Sequence, residues 1–158
     1  MRAGPAELVR DLECTWSSFR ELTTEQLYEV LELRQRVFVL EQKCFYEDID
    51  RADPTCFHAQ MRSGVRLVAC ARLAPPRQRE GAARVGRVVV DQRWRGIGVG
   101  ARLVRGAIAY AREHFPEHGV VLSAQAHLIP FYTQLGFRGV GGEYDDGGIL
   151  HCDMALGS

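Results

Sequence analysis

Apolar residues at helical intervals predict the first long helix of the chain. Thr23 and Gln26 form a capping box, the pairing of a hydroxyl and an amide side chain that starts a helix. The apolar residues that follow recur at helical spacing and would lay one face on a core: Leu27, Val30, Leu31, Val37 and Phe38. The next segment, 41–54, loses this periodicity and is predicted to be a polar loop.

Runs of β-branched and apolar residues predict the strands of the first half. A first strand is expected at 14–20. Residues 57–62 and 65–73 should form an antiparallel hairpin around the turn dipeptide Ser63-Gly64. The continuous segment 84–91, rich in β-branched valines, is typical of a central strand that is buried on both faces.

The second half of the chain alternates helices and strands. The pattern predicts a helix at 101–114, a strand at 119–124, a short helix at 129–135 stopped by Gly136, and two terminal strands at 137–143 and 149–156. The order of elements is therefore β, α, β, β, β, α, β, α, β, β. This order favours an α/β (α+β) fold, in which a mixed sheet carries helices on its faces.

Length, composition and charge exclude several classes of protein. The 158 residues are 46% apolar and 25% charged, which suits one domain over 1–158, with 1–12 as a loosely ordered N-terminal extension. A net charge of zero argues against non-specific nucleic-acid binding. No apolar run is long enough to cross a bilayer and no secretory signal is visible, so we expect a cytoplasmic protein with no membrane partner.

Cysteine spacing argues against a metal site. The five cysteines are odd in number and widely spread, and no two have Cys-x-x-Cys spacing: Cys14, Cys44, Cys56, Cys70 and Cys152. Buried free thiols are therefore favoured over a disulfide framework or a zinc ribbon, and no metal is expected.

Charge is distributed unevenly along the chain. Residues 41–53 hold five acids against Lys43 and Arg51, whereas residues 72–105 hold nine arginines against Glu80 and Asp91. The first region could favour a cation and the second an anion. The alternative is two solvated surfaces of opposite sign.

The most specific feature is the segment 88–101, where a strand runs into a glycine-rich turn that opens a helix. Such a turn presents unpaired N–H groups and the positive end of a helix dipole to an anion. Arg93 and Arg95 add positive charge beside it. An isolated Gly-x-Gly is more often chosen for its backbone angles alone, so the wider pattern has to decide.

Two common phosphate-binding motifs fit this segment poorly. The sequence from Gly96 to Ala101 matches the dinucleotide fingerprint in form, but four residues separate Asp91 from Gly96, and the next strand ends at Gln125 without an acidic residue. A P-loop is excluded because the required lysine is absent.

The segment 95–100, Arg-Gly-Ile-Gly-Val-Gly, resembles the pyrophosphate-binding motif Q/R-x-x-G-x-G/A of the GNAT superfamily of N-acetyltransferases. The resemblance implies a single-domain GNAT fold, with a mixed, mostly antiparallel sheet of six to seven strands and about four helices, and acetyl-CoA as the acetyl donor. It places the backbone of Val88 and Val90 along the pantetheine arm and the turn around the pyrophosphate. The cofactor-binding residues that it implies are Val88, Val90, Arg93, Arg95, Gly96, Gly98, Val99, Gly100, Ala101 and Gln125.

Residues 122–137 resemble a second GNAT signature, which consists of a strand followed by a helix carrying Phe-Tyr-x-x-x-Gly-Phe. In that family the tyrosine in the place of Tyr132 points its hydroxyl at the thioester sulfur. The alternative is a core aromatic residue beside Phe131.

Three further segments, 33–42, 44–50 and 148–154, resemble the ElaA-like subfamily of GNAT proteins. That resemblance implies no defined acceptor substrate.

An amine acceptor requires a base, because an alkylammonium group with a pKa near 10 is mostly protonated at pH 7. His151 has a suitable intrinsic pKa, and Glu41 and Asp48 lie in the acidic segment where this family builds its acceptor wall. His151 as an ordinary strand histidine, and Glu41 paired with Arg34 or Arg36, are the alternatives. A backbone N–H within 88–90 could donate a hydrogen bond to the oxyanion that forms when the amine attacks the thioester carbonyl.

The resemblance therefore predicts an N-acetyltransferase whose partners are acetyl-CoA and an amine acceptor, acting as a monomer or a homodimer. The acids at 41–53 favour a cationic amine. Two other classes stay open at this point: a catalytically silent acyl-CoA-binding module and a dinucleotide-binding enzyme.

Overall fold

Seven strands form one mixed sheet in the computed structural model of the chain, which describes residues 4–77, 79 and 81–157. The strands are β1 (Glu13–Ser18), β2 (Phe57–Ser63), β3 (Arg66–Ala74), β4 (Ala83–Val90), β5 (Val120–Gln125), β6 (Phe137–Asp146) and β7 (Ile149–Leu156). Their order in the sheet is β1-β2-β3-β4-β5-β7-β6. Strands β4 and β5 run parallel, and the other neighbouring strands are antiparallel.

The described part of the chain contains four α-helices: α1 (Pro5–Arg10), α2 (Thr24–Arg34), α3 (Val99–His114) and α4 (Ile129–Gln134). The predicted fold, a mixed and mostly antiparallel sheet of six to seven strands flanked by about four helices, is thus confirmed. The predicted capping box starts α2, because Gln26 N donates to Thr23 Oγ1 at 3.1 Å and Thr23 N donates to Gln26 Oε1 at 2.9 Å. None of these helices is long and apolar enough to cross a bilayer.

Helix α2 continues as one wide π-helical segment, Gln35–Glu41. Its last hydrogen bond runs from Gln42 N to Val37 O at 3.0 Å, five residues apart. Val37 and Phe38 stay buried, so the apolar face that the sequence predicts extends through this segment. The segment delivers Gln42 to the centre of the molecule.

Helices α2 and α3 cover opposite faces of the sheet. Val104 of α3 packs in one cluster with Val85 of β4, whereas Val30 of α2 packs in another with Val89 of β4. Residues four positions apart in a regular strand point to the same face. Strand β4 must therefore be irregular between Val85 and Val89.

A β-bulge in β4 accounts for this change of face. Gly86 pairs with Arg72 of β3 and Val89 pairs with Cys70, so Arg87 and Val88 together oppose one residue, Ala71. Arg87 has a φ of 50°, in the left-handed region that side chains rarely adopt. The bulge turns the second half of β4 relative to the first.

Beyond this point β4 also separates from its other neighbour, β5. The two strands pair only from Ala83 with Val120 to Val85 with Leu122. Residues 86–90 therefore have no strand partner on the β5 side. A gap opens between the carboxyl halves of the two parallel strands, in the middle of the sheet.

The N-terminal segment, predicted to be a loosely ordered extension over 1–12, contains a short helix. Within its described residues, 5–10 form α1 and Leu12 is 3% exposed. Arg102 of α3 donates hydrogen bonds to the backbone oxygens of Val9 and Leu12. These long-range bonds hold the segment on the sheet, and sequence periodicity could not reveal them.

Three arginines and three aspartates form a closed ring of alternating charge, which we call the arginine–aspartate ring. Around the ring, the contacts are Arg34–Asp48 at 2.9 Å, Asp48–Arg87 at 2.7 Å, Arg87–Asp50 at 3.3 Å, Asp50–Arg72 at 2.6 Å, Arg72–Asp53 at 3.0 Å and Asp53–Arg34 at 2.8 Å. The ring joins α2, the loop 41–54, β3 and the β4 bulge. The predicted polar loop at 41–54 is confirmed. The ion pairs of the arginine–aspartate ring attach it to α2, β3 and β4.

The ring also changes the interpretation of the acidic segment 41–53 as a site for a cation. Burial acts to raise the pKa of Asp53, but hydrogen bonds from Arg34 and Arg72 outweigh it and leave the pKa below its usual value. A hydrogen bond from Arg72 likewise lowers the pKa of Asp50. These carboxylates are neutralised by arginines, so the prediction that they attract a cationic acceptor loses its basis.

We expect Asp53→Asn to lower the free energy of unfolding by about 3 kcal/mol, because it leaves part of the charge of Arg34, which is 1% exposed, without a partner. Urea unfolding followed by circular dichroism measures the change. The matched control is Glu32→Gln, which removes a surface partner of Arg36 and should cost less than about 1 kcal/mol. Equal effects of the two substitutions would contradict a structural role for the ring.

Candidate active site

Two clefts meet at the gap between β4 and β5. The first, the glycine cleft, has a volume of about 540 Å³ and is lined by 88–90, the turn 95–101 and the start of α4. The second, the arginine cleft, has a volume of about 460 Å³ and lies over Arg72, Arg84 and Arg87. Both clefts are lined by the same four residues: Gln42, Val88, Leu128 and Tyr132. Two molecules bound in the two clefts would therefore touch here.

The glycine turn forms the wall of the first cleft. Gly96 and Gly98 have φ values of 77° and 95°, which favour glycine strongly over other residues, and no atom lies within 4 Å of a Cβ built on either. The first hydrogen bond of α3 runs from Arg102 N to Gly98 O, so the N–H groups of 99–101 have no acceptor within the helix. The wall is open, rich in N–H donors and at the positive end of a helix of 16 residues.

The two arginines predicted to bind the cofactor differ in their position relative to the glycine cleft. Arg95 lines the glycine cleft, donates from Nε to Val90 O at 2.9 Å and forms an ion pair with Glu41 at 2.9 Å. Arg93 is exposed and is not among the lining residues of either cleft. Only Arg95 is therefore positioned to contact a ligand in this cleft.

The backbone of β4 borders the gap between β4 and β5. Asp91 N donates to Val68 O on β3 at 2.8 Å, and successive backbone groups of a strand point to opposite sides. The polar groups of Val90 therefore point away from β3, which is where Arg95 reaches the Val90 carbonyl. By the same alternation, Val88 faces the gap with its own N–H and carbonyl.

Tyr132 on α4 stands where the two clefts join. Its side chain is 7% exposed, and burial raises the pKa of its hydroxyl to about 12. Phe131 and Phe137 hold the ring through edge contacts with centroid distances of 4.9 and 6.0 Å. The hydroxyl is thus a neutral hydrogen-bond donor, held rigidly at the junction.

His151 lines the arginine cleft from β7 and is 8% exposed. Its Nδ1 lies 2.8 Å from the Ile149 oxygen, which can only accept, so this contact favours a proton on Nδ1. Nε2 then keeps its lone pair. The ring is further oriented by stacking on Tyr144, with centroids 6.1 Å apart.

Gln125 lies opposite His151 on the neighbouring strand and also lines the arginine cleft. Its Nε2 donates to Gln42 Oε1 at 2.8 Å. The two amides form a bridge from β5 to the end of the π-helical segment. The structure therefore places Gln125 in the arginine cleft, hydrogen-bonded to the junction residue Gln42, and not in the lining of the glycine cleft.

Glu41 is the predicted catalytic residue that the structure does not bring to the junction. It does not line either cleft, and its carboxylate contacts Arg95 on the surface rather than Arg34 or Arg36. Asp48 is bound within the arginine–aspartate ring. These ion pairs leave His151 as the candidate base with a free lone pair.

Sequence reasoning missed several residues that line the clefts. Gln42, His127, Leu128 and Phe131 lie in the glycine cleft. Arg84 and Asp146 lie in the arginine cleft. Each lies one to five residues from a predicted site residue, which was the one available signal. Among the described residues, no His, Cys, Asp or Glu side chains are grouped to hold a metal ion.

One family model and several known proteins match this chain in sequence. A family model described as "Acetyltransferase (GNAT) domain" matches residues 20–157. Protein ElaA of Escherichia coli is 39% identical over 137 residues, which cover 85% of this chain and 90% of ElaA. A UPF0039 protein of Synechocystis sp. is 39% identical over 145 residues, which cover 91% of this chain and 94% of that protein.

Two solved structures have nearly the same backbone. The crystal structure of E. coli ElaA superposes with a TM-score of 0.87 at 38% identity, covering 92% of this chain and 99% of its own. An acyl-CoA N-acyltransferase from Pseudomonas aeruginosa superposes with a TM-score of 0.87 at 36% identity, with the same coverage of both chains.

We expect Gly98→Asp to abolish CoA binding measured by calorimetry, because it places a carboxylate where the pyrophosphate would approach the N–H groups of α3. Gly98→Asn imposes the same size and φ without the charge, so it should bind CoA at least about tenfold more tightly than the aspartate variant.

The matched control is Gly64→Asp in the β2–β3 turn. Gly64 also has a positive φ, 58°, and open space around it, but it lies outside both clefts. This variant should bind CoA normally. Normal binding by Gly98→Asp would show that the turn is not the phosphate site.

Proposed function

The chain belongs to the GNAT acetyltransferase family and is an N-acyltransferase, and we propose that it transfers an acetyl group from acetyl-CoA to a primary amine by direct attack. The observation that carries the proposal is the meeting of two clefts at Tyr132 and Val88. One cleft would hold the donor and the other the acceptor. Family membership removes the dinucleotide-binding alternative, and the thiol-release assay described below tests the silent-module alternative.

The glycine cleft suits a thioester of CoA. The N–H groups of 99–101 and the Arg95 guanidinium would hold the pyrophosphate, and the free edge of β4 at Val88 and Val90 would pair with the amides of the pantetheine arm. This arrangement directs the thioester to the end of the gap, beside Tyr132. A backbone N–H within 88–90 would then receive the developing oxyanion.

The reaction forms one N–C bond and breaks one C–S bond. The nitrogen lone pair of the neutral amine attacks the thioester carbonyl, CoA leaves as a thiolate, and one proton passes from nitrogen to a base while the thiolate gains one. The products are an amide and CoA. The protein has to remove a proton on the acceptor side and stabilise the thiolate on the donor side.

Tyr132 is proposed to stabilise the thiolate as a hydrogen-bond donor. With a tyrosine pKa of about 12 and a thiol pKa near 8.5, complete proton transfer to sulfur is uphill by about 5 kcal/mol. A hydrogen bond to the leaving sulfur needs no such transfer. Solvent water would complete the protonation.

His151 is proposed as the base that accepts the proton of the amine, directly or through one water. Its Nδ1 faces a backbone oxygen, which leaves Nε2 as the acceptor, and the residue lines the cleft that would hold the amine. Gln42 and Gln125 would hold polar groups at the boundary of the two clefts.

We also propose that the protein acts in the cytoplasm. The described structure holds five free cysteines, four of them buried, and free thiols persist in reducing compartments.

A thiol-release assay with acetyl-CoA tests the function. Polyamines, amino acids, aminoglycosides, arylamines and peptide N-termini serve as acceptors, and the product is identified as an amide by mass spectrometry. Turnover of amines supports the proposal. If only hydroxyl or thiol compounds accepted the acetyl group, amine transfer would be wrong.

We expect Tyr132→Phe to lower kcat by roughly one to three orders of magnitude and to leave acetyl-CoA affinity nearly unchanged, because the hydrogen bond strengthens only as thiolate charge develops. Tyr28→Phe removes a hydroxyl from a 72% exposed side chain outside both clefts and is the matched control. An unchanged kcat would make Tyr132 a core aromatic residue only. A parallel loss of affinity would mean that the hydroxyl positions the ground state.

We expect His151→Gln to lower kcat by roughly a hundredfold or more at pH 7. The deficit should shrink as pH approaches about 10, where the free amine forms without a base. His118→Gln is the control, because His118 makes a similar Nδ1 contact with a backbone oxygen, 2.8 Å from Gly81, outside both clefts. A deficit that stays constant with pH would exclude His151 as the base.

A further inference from the structure

Some of the charged side chains that line the arginine cleft are neutralised within the arginine–aspartate ring, and others lie outside the ring. The cleft is lined by Asp50, Asp146, Arg72, Arg77, Arg84 and Arg87. Three of these, Asp50, Arg72 and Arg87, belong to the arginine–aspartate ring, which is neutral as a whole. The charges that remain to face a ligand are Asp146, Arg77 and Arg84.

These remaining charges lie at opposite ends of the cleft. Asp146 lies at the β6–β7 hairpin and pairs with Ile149 of β7. The Arg84 guanidinium contacts Ser123 of β5, which pairs with Asp153, four residues further along β7. A strand advances about 3.3 Å per residue, so the two ends are about 13 Å apart along the sheet. Arg77, which follows β3, joins Arg84 at the far end.

Arg84 keeps donors available for a ligand. The side chain is exposed, and its hydrogen bond runs from Nη1 to Ser123 Oγ at 3.3 Å. Asp153, the nearest acid in this network, already accepts from Ser123 Oγ at 2.6 Å and from the Tyr144 hydroxyl at 2.8 Å. A guanidinium carries five N–H donors, so most of those on Arg84 remain free for a carboxylate.

We propose that the acceptor is a linear amine that also carries a carboxylate about 10 Å from its nitrogen. The ammonium group would enter between Asp146 and His151, next to Tyr132, and the carboxylate would bind Arg84 and Arg77. This proposal rests on the proposed acetyl transfer to an amine. It replaces the simple cationic acceptor expected from the sequence, because the acids at 48–53 are neutralised within the ring.

The distance restricts the class of acceptor further. An extended chain advances about 1.2 Å per bond, so 10 Å corresponds to about eight bonds. Tripeptides and long ω-amino acids such as 8-aminooctanoate have this separation between nitrogen and carboxyl carbon. In an α-amino acid the two groups are two bonds apart, too close to reach both ends of the cleft.

A series of ω-amino acids with one to eight methylene groups tests the proposal in the thiol-release assay with acetyl-CoA. Each is compared with its carboxamide and with the diamine of equal length. We expect kcat/KM to rise with length, and the longest carboxylates to exceed their carboxamides by roughly ten- to a hundredfold. Glycine should be a poor acceptor.

Two variants identify the anion site. Arg84→Gln should remove most of the preference for carboxylate over carboxamide, while CoA affinity and the melting temperature stay unchanged. Arg84→Glu should reverse the preference in favour of diamines. Arg112→Gln, which removes an exposed arginine from α3 outside both clefts, should keep the wild-type preference.

The outcomes separate the two levels of the proposal. If carboxamides and diamines of every length are acetylated as well as the carboxylates by the wild-type protein, the anion site is wrong and acetyl transfer to amines still stands. If no amine releases CoA, acetyl transfer to an amine fails as well. A carboxylate preference that survives Arg84→Gln and Arg84→Glu would overturn the assignment to this residue.

Discussion

The arginine–aspartate ring is the interaction on which the rest of the site depends. Its six side chains come from α2, the loop 41–54, β3 and β4, and each charge has an opposite charge on both sides. A buried charge without a partner is costly, so the loop cannot leave the sheet without exposing Arg34 or leaving it unpaired. Arginine suits this role because its planar fork can contact two carboxylates at once.

The ring and the β4 bulge together produce the junction of the two clefts. Arg87 has a backbone conformation that costs about 1–3 kcal/mol for a residue with a side chain, and its contacts with Asp48 and Asp50 hold it there. Its guanidinium also lies over the Tyr46 ring, 5.4 Å from the centroid. The bulge turns the end of β4 away from β5, which opens the sheet where donor and acceptor would meet.

Much of the site could be predicted because its parts are local. The glycine turn, the strand before it and the helix after it are contiguous, and Tyr132 lies in a short motif of its own. The interpretation of Glu41 depended on its place in an acidic segment, and the ion pair with Arg95, 54 residues away in the chain, gives it a different role. Gln42 was not predicted as a site residue, because its role depends on the hydrogen bond that it accepts from Gln125 across the gap.

The sequence by itself determined helices α2 to α4, the strands and the glycine turn, because capping, apolar periodicity and glycine dihedral angles act between residues a few positions apart. Only the tertiary structure decided which charges are neutralised and which face a ligand. Arg34 and Asp53 are 19 residues apart in the chain, and Arg87 and Asp50 are 37 apart. Charge pairing across such distances depends on the packed sheet, so an acidic segment that suggested a cation site proved to be part of the scaffold.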